Sequence, residues 1–150
     1  ESSGAYYCSY QAFVGTYHYE MRRIERTGES LYLLLCSLTE KEENRRSKTG
    51  ELTFENIMDQ LGTSIREALR RADVYTRYGK NQYLLLLMGI KQEDCSSVSS
   101  RIQGYFNRTP DSGKYQLHHF IAPVVRGGWK ECQEEEPPLR FGQRSWGMFG

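Results

Sequence analysis

This 150-residue chain has little of what usually declares a function. It lacks a charge of one sign: 20 Lys and Arg stand against 19 Asp and Glu, a net of +1, whereas a dedicated nucleic-acid binder advertises a basic face. The basic pairs Arg22-Arg23, Arg45-Arg46 and Arg70-Arg71 each have acidic neighbours and read as solvated helix faces. Only four cysteines are present, Cys8, Cys36, Cys95 and Cys132, and no two have metal-ligand or redox-motif spacing. Cys36 in an apolar run and Cys95 at a helix start read as reduced packing thiols, which points to a cytoplasmic setting. His118 and His119 are adjacent on a predicted strand, face opposite ways and cannot share a metal, and His18 reads as a boundary residue; no metal and no cofactor are expected. The longest apolar stretches, Leu31 to Cys36 and Tyr83 to Met88, are strand-length, so no membrane span is expected. There is no basic-then-apolar leader, and the missing initial Met suggests a piece of something longer. Neither a Gly-x-Ser-x-Gly elbow nor a phosphate-binding Gly-x-x-x-x-Gly-Lys loop occurs.

What is present is one well-patterned domain over residues 1–125. Tyr10, Phe13, Val14, Tyr17, Met21 and Ile24 predict an amphipathic helix over 7–27 that stops near Gly28. Leu31 to Leu38 reads as a strand covered on both faces, followed by an exposed polar loop at 40–50. A stripe from Phe54 through Ile57, Met58, Leu61, Ile65 and Leu69 predicts a helix over 53–72 capped by Thr53. Val74 to Tyr78 and Gln82 to Ile90 read as strands, with Gly79-Lys80 as a type II′ turn. A helix capped by Asp94 and a strand over 115–125 complete the order. Residues 126–150 carry Gly127-Gly128, an acidic triplet and Pro137-Pro138, and read as an irregular extension. Helix, strand, helix, strand, strand, helix, strand predicts an α/β fold with a mixed sheet flanked by helices. The 11 tyrosines fall mostly on these stripes, while Tyr6, Tyr7 and Tyr10 are candidates for an interface patch.

The segment Arg77-Tyr78-Gly79-Lys80-Asn81-Gln82-Tyr83 resembles the signature hairpin of GGDEF domains, in which Arg-Tyr precedes Gly-Gly-Asp-Glu-Phe. The flanking elements stand in matching order over about residues 5–125. The resemblance implies the nucleotidyl cyclase-like, ferredoxin-like palm fold. It also implies a degenerate site: Lys80 replaces the second Gly, Asn81 the Asp, Gln82 the Glu and Tyr83 the Phe, while Ser37 falls where the first strand should end in a metal-binding carboxylate. Joining two GTP molecules into cyclic di-GMP needs divalent metal held on carboxylate oxygens, so a non-enzymatic domain is expected. The loop at 40–50 stands where the family has a nucleotide-binding helix.

The phrases Gly4-Ala5-Tyr6-Tyr7-Cys8-Ser9-Tyr10, Leu69 to Val74 and Arg77 to Leu85 are also similar to the C-terminal region of Firmicutes regulators with a winged helix and a bacterial transcriptional activator domain. That implies a sensory or dimerising module, a homodimer among its partners, and DNA contact only through a missing N-terminal domain. One ligand site of the family survives in outline. Arg70-Arg71-Ala72-Asp73 matches the inhibitory Arg-x-x-Asp motif, five residues before the hairpin, so cyclic di-GMP or another nucleotide is the candidate ligand of Arg70 and Asp73. The competing local reading places Arg70 in a helix's last turn and Asp73 on turn amides. The sequence also leaves open a purely structural protein-interaction domain and residual nucleotide turnover.

Overall fold

The computed structural model describes residues 6–42 and 51–124. The expected extension at 126–150, Cys132, Arg45-Arg46 and most of the polar segment at 40–50 lie outside the described residues. Eight main elements follow in order: β1 (Tyr6–Tyr7), α1 (Tyr10–Thr27), β2 (Leu31–Glu40), α2 (Glu51–Ala68), β3 (Val74–Gly79), β4 (Gln82–Met88), α3 (Gln92–Asn107) and β5 (Tyr115–Pro123).

The two leucine-rich runs pair with each other. β2 and β4 are antiparallel neighbours from Leu31↔Met88 to Ser37↔Gln82, inside a five-stranded sheet of order β1-β3-β4-β2-β5. Side chains alternate faces along a strand, so consecutive leucines serve two cores. Leu34, Leu85 and Leu87 face α2 and α3 with Ile57, Met58, Leu61, Ile65, Ile102 and Phe106. Leu33, Leu35, Leu84 and Leu86 face α1 with Phe13 and Tyr17. Full burial of each such side chain favours folding by about 1.5–3 kcal/mol, which is why both faces must be covered by helices. β1 joins β3 in parallel and the other pairings are antiparallel, so the sheet is mixed as expected. Cys8, Cys36 and Cys95 are buried free thiols, and burial pushes the Cys36 thiol up to about 12.

Several local expectations are corrected. Ser9 caps α1 by accepting from the Ala12 amide, so Tyr7 lies outside the helix and in a strand. Gly28 closes α1 in the left-handed region at φ 77°, donating to Ile24. α2 is already helical at Glu51, so Thr53 is not its cap, and it ends at Ala68 rather than 72. α3 begins at Gln92 with Lys91 at its cap position, which puts Asp94 in the first turn, where a carboxylate suits the positive helix end. The hairpin turns at Lys80-Asn81, not Gly79-Lys80: Gly79 ends β3, its φ is outside the left-handed region, and a register shift between Arg77 and Gly79 adjusts the pairing.

Tyr83 and Gly62 form a coupled contact under the hairpin. The Tyr83 hydroxyl donates to Met58 O (3.1 Å), and a Cβ on Gly62 would stand 2.6 Å from that hydroxyl. Alanine is the better helix former by about 1 kcal/mol, but the clash outweighs it. Gly62→Ala should destabilise the chain by about 1–3 kcal/mol in urea denaturation, and by clearly less in a Tyr83→Phe background.

His119 sits on the α2–α3 face with Nδ1 3.8 Å from Cys36 Sγ and Nε2 shielded without a hydrogen-bond partner. Burial, then the neighbouring His118, holds its pKa below the ordinary 6.5. The unfolded chain therefore takes up a proton that the folded chain resists. This contribution to stability is fully present above about pH 6.5 and is lost as pH falls toward the lowered folded value. A His119→Gln chain should show a shallower fall of Tm between about pH 6.5 and 5 than the unsubstituted chain.

Candidate functional site

The β3–β4 hairpin is held by three side chains from within and beside it. Arg77 Nε donates to Gly79 O (2.8 Å) and Nη2 to Lys80 O (2.7 Å), while the same guanidinium pairs with Glu55 on α2 (3.0 Å) and lies 5.6 Å from the centre of the Tyr83 ring. One arginine thus ties the turn's carbonyls to the helix below. Asn81 closes the other side: its Nδ2 donates to Leu38 O (2.9 Å), and Leu38 N donates to Asn81 O (2.9 Å). The turn is stitched to the end of β2 by an amide that gives and a carbonyl that takes.

The register brings the sequence-identified positions together at this end of the sheet. Ser37 is the cross-strand partner of Gln82 on one side and of His118 on the other. Gln82 folds back so that its Oε1 stands 3.0 Å from where a Gly79 Cβ would lie, which restricts that position to glycine or a shifted Gln82. His118 Nε2 meets Thr39 Oγ1 at 3.0 Å. Ser37, Thr39, Asn81, Gln82 and His118 are polar without a carboxylate among them. Burial, opposed by Arg77, pushes the Tyr83 hydroxyl up to about 12, so it remains a donor at neutral pH. Sequence reasoning placed the hairpin but not the Thr39–His118 contact, which needed the β2–β5 register, nor Glu55, which no motif marks.

Arg70 and Asp73 are brought together at the other end of β4. Because α2 stops at Ala68, Arg70 lies in the turn beyond the helix rather than in its last turn. The Asp73 side chain is 2% exposed. Its Oδ2 accepts from Arg70 N (3.1 Å) and Arg70 Nε (3.4 Å), and its Oδ1 from Arg70 Nη2 (3.2 Å) and Met88 N (3.3 Å). Four donors of this chain engage the carboxylate. The Arg70 side chain is 51% exposed and also donates to Met88 O. It borders a cavity of about 350 Å³ whose rim includes Asp94, Ser97 and Arg101. Arg101 in turn donates through Nε and Nη2 to Ala68 O (3.2 and 2.9 Å), satisfying a carbonyl at the end of α2. Two guanidiniums therefore share one rim, and the second of them was not singled out in the sequence because only the fold sets α3 beside the end of α2.

Among the described residues no three His, Cys, Asp or Glu side chains are grouped to hold a metal ion, and no helix is long and apolar enough to cross a membrane.

A family model described as the diguanylate cyclase GGDEF domain matches residues 11–121. A sequence search of curated proteins returned no match. The fold is similar to that of the diguanylate cyclase SiaD of Pseudomonas aeruginosa, solved with its activator SiaC, at a TM-score of 0.73 and 16% identity over 91% of this chain and 55% of that one. It is similar to the GGDEF domain of DgcB from Caulobacter crescentus, solved with c-di-GMP, at a TM-score of 0.71 and 11% identity over 92% and 84% of the two chains. The GGDEF domain of YfiN from Pseudomonas aeruginosa gives a TM-score of 0.67 and 22% identity over 78% and 76%. This chain spans little more than half of the SiaD chain. A mixed five-stranded sheet flanked by helices, a hairpin in the signature position and a family match over 11–121 place the chain in the GGDEF-domain family of diguanylate cyclases.

Proposed function

We propose that this GGDEF domain has no cyclase activity and serves as a regulatory module, sensory or dimerising, of a bacterial transcriptional regulator. The observation that carries the first half is the Asn81 contact. An active hairpin of this family would present carboxylates to a divalent cation, which offsets phosphate charge and activates the attacking hydroxyl. At these positions the chain offers Ser37, Asn81 and Gln82, which are neutral. Asn81 moreover donates its amide hydrogen to Leu38 O. A donating amide faces a carbonyl as a cation would, and a carboxylate in its place would meet that carbonyl oxygen with like polarity. The residues present do not fit a hard dication. The regulatory half rests on the similarity of the Gly4–Tyr10, Leu69–Val74 and Arg77–Leu85 phrases to Firmicutes regulators, in which DNA contact belongs to another domain. The chain, incubated with GTP and Mg²⁺, should yield no cyclic di-GMP by chromatography over hours, and sustained product formation would overturn the reading.

A second reading is favoured by the half-exposed Arg70 guanidinium on its cavity: the domain is a receptor for cyclic di-GMP. Arg70 and Arg101 would take a phosphate or a guanine edge by paired hydrogen bonds, while Asp73 holds Arg70 in place. Calorimetric titration should then give micromolar binding of cyclic di-GMP, weakened about tenfold or more by Arg70→Ala. Heat from neither cyclic di-GMP nor GTP–Mg²⁺ would remove this reading and leave the first standing.

A further inference from the structure

β5 ends the sheet, and its far side has no strand partner among the described residues. The direction of each of its backbone groups follows from two flanking bonds. Val124 donates to Leu31 O (2.8 Å), and Lys41 donates to Lys114 O (2.9 Å), both in the register that pairs β2 with β5. Antiparallel bonding alternates along a strand, so 116, 118, 120 and 122 turn their amides toward β2. Tyr115, Leu117, His119, Ile121 and Pro123 turn theirs outward. Tyr115 N is taken by Ser112 O, and Pro123 has no N–H. The outward donors left for a partner are Leu117, His119 and Ile121, bounded at both ends.

An exposed strand of this length is normally blunted by charged side chains, bulges or brevity. β1, at the other edge, is two residues long. β5 has nine residues, YQLHHFIAP, with no Lys, Arg, Asp or Glu. Pro123 protects only its end.

We propose that this edge pairs with the same edge of a second copy of the chain, antiparallel about a two-fold axis at His119. A two-fold pairing puts residue i of one copy opposite residue 238 − i of the other, so the free donors match themselves: His119 faces His119, and Leu117 faces Ile121 twice. These three pairs would make about six backbone hydrogen bonds. On the opposite face His118 lies across from Phe120, a ring against a ring. The strand brings no Lys, Arg, Asp or Glu to the seam, and burial favours the neutral form of His119 where it would face itself. Shifting the axis to any residue from 117 to 121 other than 119 would set an outward residue opposite the occupied Tyr115 amide or Pro123, so His119 is the one centre at which all three donors pair reciprocally. The net charge of +1 gives little long-range repulsion between copies. The hairpin and the Arg70 cavity lie at the ends of β4, with β2 between them and this edge, and stay accessible. The inference therefore goes beyond the non-catalytic reading and stands or falls apart from it.

The test is sedimentation of the full 150-residue chain over a hundredfold concentration range, with amide-resolved hydrogen exchange at both ends of that range. A monomer–dimer equilibrium is expected, with protection of Leu117, His119 and Ile121 rising about tenfold or more with concentration while Gln116, His118, Phe120 and Ala122 change little. His119→Pro, which removes the central outward donor along with the imidazole beside Cys36, should abolish the dimer, and His119→Gln, which keeps the backbone amide, should retain it. A monomer throughout, a dimer whose exchange changes elsewhere, or protection of the three amides independent of concentration would each overturn the proposal.

Discussion

The antiparallel pairing of β2 with β4 is the constraint on which the rest of the molecule depends. It aligns two leucine-rich runs over seven residue pairs and makes every second leucine belong to a different core. Helices on both faces follow from that, and so does the placement of everything polar. The same register sets Gln82 beside Ser37 and brings Asn81 to Leu38 at one end. At the other it delivers Met88 to Asp73 and Arg70. The two candidate sites are thus the two ends of one strand, separated by about 20 Å of leucine.

Asp73 shows how a motif residue changes meaning once its surroundings are known. A buried carboxylate is tolerated only when charge and hydrogen bonds are matched, and here two backbone amides and one guanidinium do so. Those bonds fix the turn between α2 and β3. They also orient Arg70, whose other contact is the last carbonyl of β4. The pair anticipated from Arg-x-x-Asp is therefore divided in its labour: the arginine reaches solvent, and the aspartate holds it.

Most of the fold could be read in the sequence because its signals are strong where burial is complete. The Phe13–Tyr17 and Ile57–Ile65 stripes gave helices, and the leucine runs gave doubly covered strands. Boundaries failed where local chemistry is ambiguous. Ser9, not an earlier residue, caps α1; Thr53 and Asp94 are plausible caps by type, yet each lies inside a helix. β1 carries no pattern, since both its residues are exposed and only the edge of β3 defines it. The hairpin was found by resemblance, but its turn falls one residue later than Gly-X preference suggests, because Arg77 and Asn81 bind the carbonyls that shape it. Glu55, His118 and Arg101 were beyond reach of sequence spacing: each meets its partner across a helix–sheet, strand–strand or helix–helix contact.

The charge distribution distinguishes the two ends of β4. At the hairpin end Arg77 is paired with Glu55, and the other side chains are amides, hydroxyls and an imidazole, with Lys80 exposed in the turn. At the Met88 end Arg70 and Arg101 share a rim with the single carboxylate Asp94, since Asp73 is already paired and enclosed. Arg101 gives two of its donors to Ala68 O, which leaves its charge undiminished while fixing its position. Asp73 and Asp94 balance the charges of Arg70 and Arg101, so what this end offers a phosphate is guanidinium donors held in fixed positions rather than a surplus of positive charge. The two ends therefore differ in arrangement: at the hairpin, amides and hydroxyls that satisfy one another beside a lysine in the turn, and before β3, two anchored guanidiniums beside a cavity.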